Sequence, residues 1–391
     1  MADVLRLAYP SGKAALHMPN AVKKALYDIT RCRTEALGGH VIKCQKCNHR
    51  QISYNSCRNR HCPKCQFSKR EQWILNRESE VLPVRYFHIV FTVPHQLNPM
   101  MKQYPKIMYG LLFKAAWKTV RTLGRDQKWL GAQMGMIGVL HTWGQNLSFH
   151  PHLHCIIPGG GFLSSINRWV SLRHRAFLFP VKVMSALFRR FLLEALTTLL
   201  DSGQLTWKRD QWRSLLPQLK ASSFNVFAKT PFAGPKQVIN YLGRYSHRVA
   251  ITNTRIKQVT NKIVTFQYRD YRTKKNGHLS LSPQEFARRF LQHVLPKGFS
   301  KIRHFGFLSN RSKKKHLAAI LLYLGRKQKT KSVFDAVQYF SMHLNIDLTL
   351  CPICKKGKLR NIDVIPACRG QPKAILPTQT FQVCTLSKQS F

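Results

Sequence analysis

Three cysteine pairs at CxxC spacing, Cys44/Cys47, Cys62/Cys65 and Cys351/Cys354, constrain this chain more than anything else in its sequence. A pair spaced in this way turns both sulfurs toward one point, and two such pairs complete a tetrahedral zinc site. The chain has 11 cysteines, an odd number, and all but Cys155 cluster near its two ends. Its start, MADVLRLAYP, carries Asp3 and lacks the apolar core of a secretory signal. A reducing compartment is therefore expected, and there such cysteines bind metal rather than form disulfides. The segment CQKCNHRQISYNSCRNRHCPKC is expected to hold a structural Zn²⁺ on Cys44, Cys47, Cys62 and Cys65. Cys32, His40, Cys57 and His61 offer four further donors, enough for a second ion. The alternative is that these cysteines are small buried residues and the histidines face nucleic acid. The late CPICKKGKLR reads as half a zinc ribbon, followed only by Cys368 and Cys384 at poor spacing.

Charge names the class of partner. The 391 residues include 64 Lys and Arg against 15 Asp and Glu, a formal net charge of +49. A disordered basic tail would be poor in apolar and aromatic residues. This chain is 44% hydrophobic and 11% aromatic, so it folds. A folded body with that self-repulsion calls for a polyanion, and Lys and Arg neutralising phosphates make nucleic acid the expected one. Arg58, Arg60 and Lys64 stud the cysteine module, which is therefore expected to contact DNA as well as to fold. No apolar run reaches the roughly 18 residues of a membrane span, so a cytoplasmic, nucleoid-associated protein is expected.

Periodicity divides the rest. Residues 1–31 read as a helical lead-in and 32–70 as the zinc module, and residues 71–83 continue as a helix ending at Pro83. Then strands and helices alternate. RYFHIVFTVP, MGMIGVLHTW, PHLHCIIPGGG and FNVFAKTPF read as strands, the third ended by its glycines. Helices are expected at 102–122, at 181–203, and in GPKQVINYLGRYSHR. TNKIVTFQYRDY and HLSLS form a hairpin around KKNG. SPQEFARRFLQHVLP opens with a capping box of Ser282 and Glu285. Two more helices, roughly 312–326 and 331–344, precede the tail. The expected plan is an α+β protein: residues 1–80 as lead-in and zinc module, 81–330 as an antiparallel sheet flanked by helices, and 331–391 as helix and CxxC tail. Glycine-rich phosphate loops are missing, so no nucleotide cofactor is expected.

The most informative stretch is FHPHLHCIIPGGG. His150, His152 and His154 alternate along a strand and so share one face. Neighbours in this set are ~7 Å apart at the backbone, and the outer two ~13 Å, too far to share one ion easily. The metal pair is therefore His150/His152 or His152/His154. Tyr241 and Tyr245 lie four apart in a helix, one turn from each other on one face. That spacing also suits core packing. Beside a histidine metal site it suits chemistry, because a phenol oxygen can attack phosphorus to give a covalent phosphotyrosine, and a metal can polarise the phosphate.

HPHLH, the following GGG and YLGRYSHRVAITN resemble the two-tyrosine HUH (His-hydrophobe-His) transposases of rolling-circle insertion sequences. LGGH and SCRNRHCPKCQ resemble the zinc-binding domain that precedes the catalytic domain in that family, and IRHFGFLSNR with the late CPxC fits its C-terminal part. The resemblance spans roughly residues 30–355. It implies an antiparallel HUH-endonuclease-type sheet, with His152 and His154, which flank Leu153, as metal ligands. His141 is the favoured third ligand over Gln145, His150 and His247. Tyr241 and Tyr245 become the nucleophiles, Arg244 and Arg248 DNA contacts, and Mg²⁺ or Mn²⁺ the catalytic ion. The implied substrate is single-stranded or hairpin DNA at the element's ends, and no ATP is needed.

Three other readings compete. A three-carboxylate, two-metal transposase needs clustered acids, yet only Asp126 lies between Glu80 and Glu194. A plasmid replication initiator or relaxase would share the chemistry but not the cysteine module. A non-enzymatic zinc-bearing DNA-binding protein would explain charge and cysteines and leave HPHLH and the tyrosines idle.

Overall fold

The computed structural model describes residues 1–10, 17–172, 174, 176–232, 237–238, 241, 243, 247–270, 273–327 and 335–368. Its strands are β1 (Gly39–Cys44), β2 (Arg50–Tyr54), β3 (Tyr86–Thr92), β4 (Gly135–Trp143), β5 (Phe149–Pro158), β6 (Gly160–Leu163), β7 (Arg168–Ser171), β8 (Val226–Phe232), β9 (Ile256–Val259), β10 (Val264–Arg269), β11 (Asn276–Leu281), β12 (Ile302–Gly306) and β13 (Leu359–Ile365). The chain forms two compact units: residues 1–64, 251–291 and 350–391, and residues 65–250 and 292–349. This division does not coincide with boundaries at 80/81 and 330/331, because contacts group segments that are distant in sequence. The cut between Lys64 and Cys65 falls inside the CPKC knuckle.

The first unit holds two three-stranded antiparallel sheets, β13-β1-β2 and β11-β10-β9. The hairpin around KKNG is present as β10 and β11, paired from Val264↔Leu281 to Arg269↔Asn276. Helix Ala2–Ala8 packs on helix Pro283–Leu291. The Ser282 hydroxyl caps that second helix, accepting from the Glu285 N–H at 3.2 Å. Glu285 turns its carboxylate forward to Arg288 and Arg289 rather than back, so half of the expected capping box forms. The C-terminal strand β13 is the element least expected, because nothing near it in sequence pairs with it. It lies antiparallel to β1, from Gly39↔Ile365 to Cys44↔Leu359.

The second unit is built on a five-stranded antiparallel sheet in the order β12-β4-β5-β3-β8. Side chains alternate between its faces. Phe87, Ile89 and Phe91 of β3, Met136 and Leu140 of β4, and Leu153, Cys155 and Ile157 of β5 enter one large core. Helices Pro105–Arg125 and Val181–Asp201 cover that face through Phe113, Phe188 and Leu192. The Phe91 and Phe188 rings meet at 4.9 Å between centroids. Tyr86, Ile137 and Ile156 face the other way, into a smaller cluster with Val238, Leu317 and Ile320. The histidines share the parity of this second set, and that places the site. Helix Arg209–Ala221 and edge strand β12 belong to this unit as well, and neither was anticipated as an element.

The third strand, β5, ends at Pro158, immediately before the three glycines. Gly160 and Gly161 open β6, which pairs with β7. At Gly160 an added Cβ would lie 2.5 Å from both Trp169 Cζ2 and the Val170 carbonyl oxygen. Gly160→Ala is therefore expected to destabilise the protein by about 1–3 kcal/mol, the usual cost of overpacking. Thermal unfolding checks this, and an unchanged midpoint would contradict it.

Candidate metal centres and active site

Three groups of ligand-bearing side chains converge among the described residues: Cys32/Cys57/Cys62/Cys65, Cys44/Cys47/Cys351/Cys354 and His141/His152/His154, each with ligand atoms within 4.8 Å of one another. The cysteines expected to form one site are thus divided. Cys62 and Cys65 join Cys32 and Cys57, whereas Cys44 and Cys47 join the late CxxC. The division follows from the backbone, since β1 ends at Cys44 beside the start of β13. Neither group contains His40, which sits within β1, or His61, whose backbone N–H is held by Asn59 Oδ1 at 2.9 Å. Cys368 is exposed and outside both groups, and Cys384 lies outside the described residues.

The cysteine groups fit zinc. Bonds of about 2.3 Å at tetrahedral angles put sulfurs roughly 3.8 Å apart. The separations are 3.6 Å for Cys44–Cys354, 3.7 Å for Cys47–Cys351 and 3.6 Å for Cys62–Cys32. A disulfide would need about 2.05 Å. Backbone amides favour thiolates here: the Lys46 N–H points at Cys44 Sγ (3.4 Å) and the Gly357 N–H at Cys354 Sγ (3.3 Å). The amides of Lys356 and Gly357 pull the Cys354 thiol down to about 6.

The histidine group sits in the second unit. His141 of β4 lies directly opposite His152 of β5, and His154 is two residues further along the same face. The His141 and His154 rings are 4.6 Å apart, and His141 and His152 5.5 Å. His141 and His154 are buried and His152 is half-buried. His150 supplies its carbonyl rather than its ring: His152 Nδ1 donates to it at 2.7 Å. That bond fixes the tautomer and leaves the Nε2 lone pair of His152 facing His154 Nε2 at 3.1 Å. Two imidazole nitrogens this close need a proton or a cation between them. Adjacent ligands of an octahedral ion with ~2.1 Å bonds are roughly 3.0 Å apart, so the donors fit a metal. His247 stands outside the group.

One residue escaped the sequence reading. His88, fully buried in β3, places its Nε2 2.9 Å from His154 Nδ1. Tyr241 Oη lies 2.9 Å from the Nδ1 of His88 and 3.2 Å from its Nε2. The available signal was a lone histidine with even parity in RYFHIVFTVP, and a lone histidine in an apolar strand also fits simple packing. Tyr241 is half-buried, and Tyr245 and Arg244 lie outside the described residues. Arg248 is half-buried, and its charge adds to the forces that keep His152 and His154 neutral. Arg58, Arg60 and Lys64 are exposed in the first unit.

Burial keeps these imidazoles neutral. It is the main force pulling His88 to about 3 and His152 to about 4, and it drives His154 well below its ordinary value of 6.5. The unfolded chain takes protons on these groups below about 6.5, while the folded one resists until about 3–4. Stability therefore rises with pH across that window and is lost as pH falls through it. With no free divalent ion in the buffer, the urea midpoint is expected to be lower at pH 5 than at pH 7 and flat from 7 to 8. An equal midpoint at pH 5 would contradict this.

Residues 135–316 match a family model described as "Putative transposase", and residues 4–93 match one described as "Transposase zinc-binding domain". The chain is 42% identical to the "Putative transposase y4qJ" of Sinorhizobium fredii (strain NBRC 101917 / NGR234), over 95% of this chain and 97% of the relative. It is 29% identical to the "Transposase for insertion sequence element IS801" of Pseudomonas savastanoi pv. phaseolicola, over 83% of this chain and 79% of the relative. No solved structure matches the chain. Among the described residues no helix is long and apolar enough to cross a membrane.

Proposed function

This chain belongs to the IS91/IS801 family of insertion-sequence transposases, and from that premise we propose that it moves its element by rolling-circle transposition, cutting and rejoining one DNA strand through a 5′-phosphotyrosine. As a transposase it is an enzyme that cleaves nucleic acid, and its partner is DNA. The observation that carries the finer reading is the hydrogen-bonded line from Tyr241 Oη through His88 to His154. It joins a phenol to the histidine cluster, and a phosphotyrosine mechanism needs its nucleophile beside the metal.

In this mechanism Tyr241 Oη gives up its proton to water and attacks the scissile phosphorus. The Tyr O–P bond forms, the P–O3′ bond breaks, and the 3′ oxygen leaves as a hydroxyl after taking a proton from water. The 5′ phosphate stays on the tyrosine, and the reverse attack by a 3′ hydroxyl joins strands without ATP. Tyr245 gives a second nucleophile for the second strand end. A divalent ion on His141, His152 and His154 would polarise the phosphate and offset the charge that develops on it. When His154 gives its Nε2 lone pair to the cluster, its Nδ1 carries the proton and donates to His88 Nε2. His88 Nδ1 then carries the other proton and donates to Tyr241 Oη, favouring the phenolate. The substrate is single-stranded or hairpin DNA at the element's ends, held by Arg58, Arg60, Lys64, Arg244 and Arg248 through its phosphates. A replication initiator or relaxase would use the same chemistry, but the named relatives are transposases.

Imidazole donors suit Mn²⁺ better than Mg²⁺, so Mn²⁺ is the ion expected to support the faster reaction. The test incubates the protein with a labelled single-stranded oligonucleotide from the element's end and either ion. The expected outcome is cleavage with an SDS-resistant protein–DNA adduct, larger in Mn²⁺. Cleavage without an adduct would point to hydrolysis, and binding without cleavage to a non-enzymatic DNA-binding protein.

A further inference from the structure

The zinc-binding domain matched in the N-terminal part stops at residue 93, yet the ligands of one of its cysteine clusters do not. We infer that Cys44, Cys47, Cys351 and Cys354 form one zinc site built from the two ends of the chain, so that the N-terminal module is complete only when the C-terminal CxxC is in place.

Four observations carry this. The first is the sulfur spacing across the halves, 3.6 and 3.7 Å, which matches edges of a zinc tetrahedron. The second is that the two halves are built alike. The residue after each second cysteine has a left-handed backbone, Asn48 at φ 56° and Lys355 at φ 53°. Each first cysteine closes its knuckle with a 2.8 Å bond, from the Cys44 N–H to the His49 carbonyl and from the Cys351 N–H to that of Gly357. Each knuckle aims a backbone N–H at a thiol, Lys46 at Cys44 and Gly357 at Cys354. One knuckle is thus the structural counterpart of the other, and each supplies two of four ligands. The third is the ladder between β1 and β13, extended by the Gln45 N–H donating to the Lys358 carbonyl at 3.0 Å. It holds the knuckles face to face independently of any ion. The fourth is Gly357, where a Cβ would collide with Cys44 Sγ, so the late knuckle is shaped around the early cysteine.

The physical consequence is a clip. Cys47 and Cys351 are 304 residues apart, and an ion that joins them closes a loop of more than three-quarters of the chain. Such closure removes conformational freedom from the unfolded chain and ties the order of the N-terminal module to completion of the C-terminal one. Four thiolates around one Zn²⁺ also leave a net charge of −2 within a strongly basic chain.

The test uses the full chain and needs no DNA. Metal analysis is expected to find two zinc ions per chain, one in the Cys351→Ser/Cys354→Ser variant, and two in the Cys368→Ser control. Because the double variant can fail to fold, the unmutated protein is also titrated with chelator and alkylated, with peptides read by mass spectrometry. Cys351 and Cys354 are expected to gain label in the same chelation step as Cys44 and Cys47. Two zinc ions in the folded double variant would overturn the inference. So would free labelling of Cys351 and Cys354, at the rate of exposed Cys368, in a zinc-loaded chain whose Cys44 and Cys47 stay protected.

Discussion

Replacing Tyr241 and Tyr245 together with Phe is expected to abolish the covalent protein–DNA adduct while leaving oligonucleotide affinity within about twofold. The change removes two oxygen atoms and keeps both rings, so packing and charge are conserved. What disappears is the only atom at each position able to bond phosphorus. Cleavage is expected to fall by at least about 10³-fold, in line with losses on deleting a covalent nucleophile. The single Tyr241→Phe change also breaks the bond to His88, a net loss of about 1 kcal/mol. If the second tyrosine can act alone, that variant keeps part of the adduct. An adduct of undiminished yield in the double variant would remove the nucleophile assignment.

His154→Ala is expected to have an effect of the same size for a different reason. His154 touches both sides of the site: Nε2 faces His152 and Nδ1 faces His88. Its loss takes away a metal ligand and the link that orients His88 toward the phenol. Cleavage is expected to fall at least 10³-fold, and thermal stabilisation by Mn²⁺ is expected to disappear. The pair of readouts separates this from simple unfolding, because circular dichroism and zinc content are expected to stay unchanged. Retained stabilisation by Mn²⁺ would show that the ion sits elsewhere.

Four of the five strands of the sheet, β3, β4, β5 and β8, were legible because period-two alternation and aromatic content write themselves along a short segment. RYFHIVFTVP became β3, and parity alone predicted that His152 and His154 share a face. The pairing of His141 with His152 needed strand register, which the sequence carries only weakly. His88 was hidden because a buried histidine in an apolar strand has the same local signature whether it packs or orients a partner. The partners of Cys44 and Cys47 were hidden by distance. Spacing within a CxxC motif is local information, whereas the choice of which two motifs meet is made by β13 pairing with β1 across most of the chain. Grouping residues 251–291 with the N-terminal segment was illegible for the same reason. Among the described residues the three groups of ligand-bearing side chains are built from cysteine and histidine.

The most direct test of the central claim is to identify the amino acid that carries DNA. The adduct formed with a single-stranded end oligonucleotide in Mn²⁺ would be digested with nuclease and protease and sequenced by mass spectrometry. The expected product is a 5′-phosphonucleotide ester on Tyr241 or Tyr245, with the released fragment ending in a 3′ hydroxyl. A phosphodiester on serine or cysteine, or cleavage that yields a free 5′ phosphate and an unmodified protein, would contradict it.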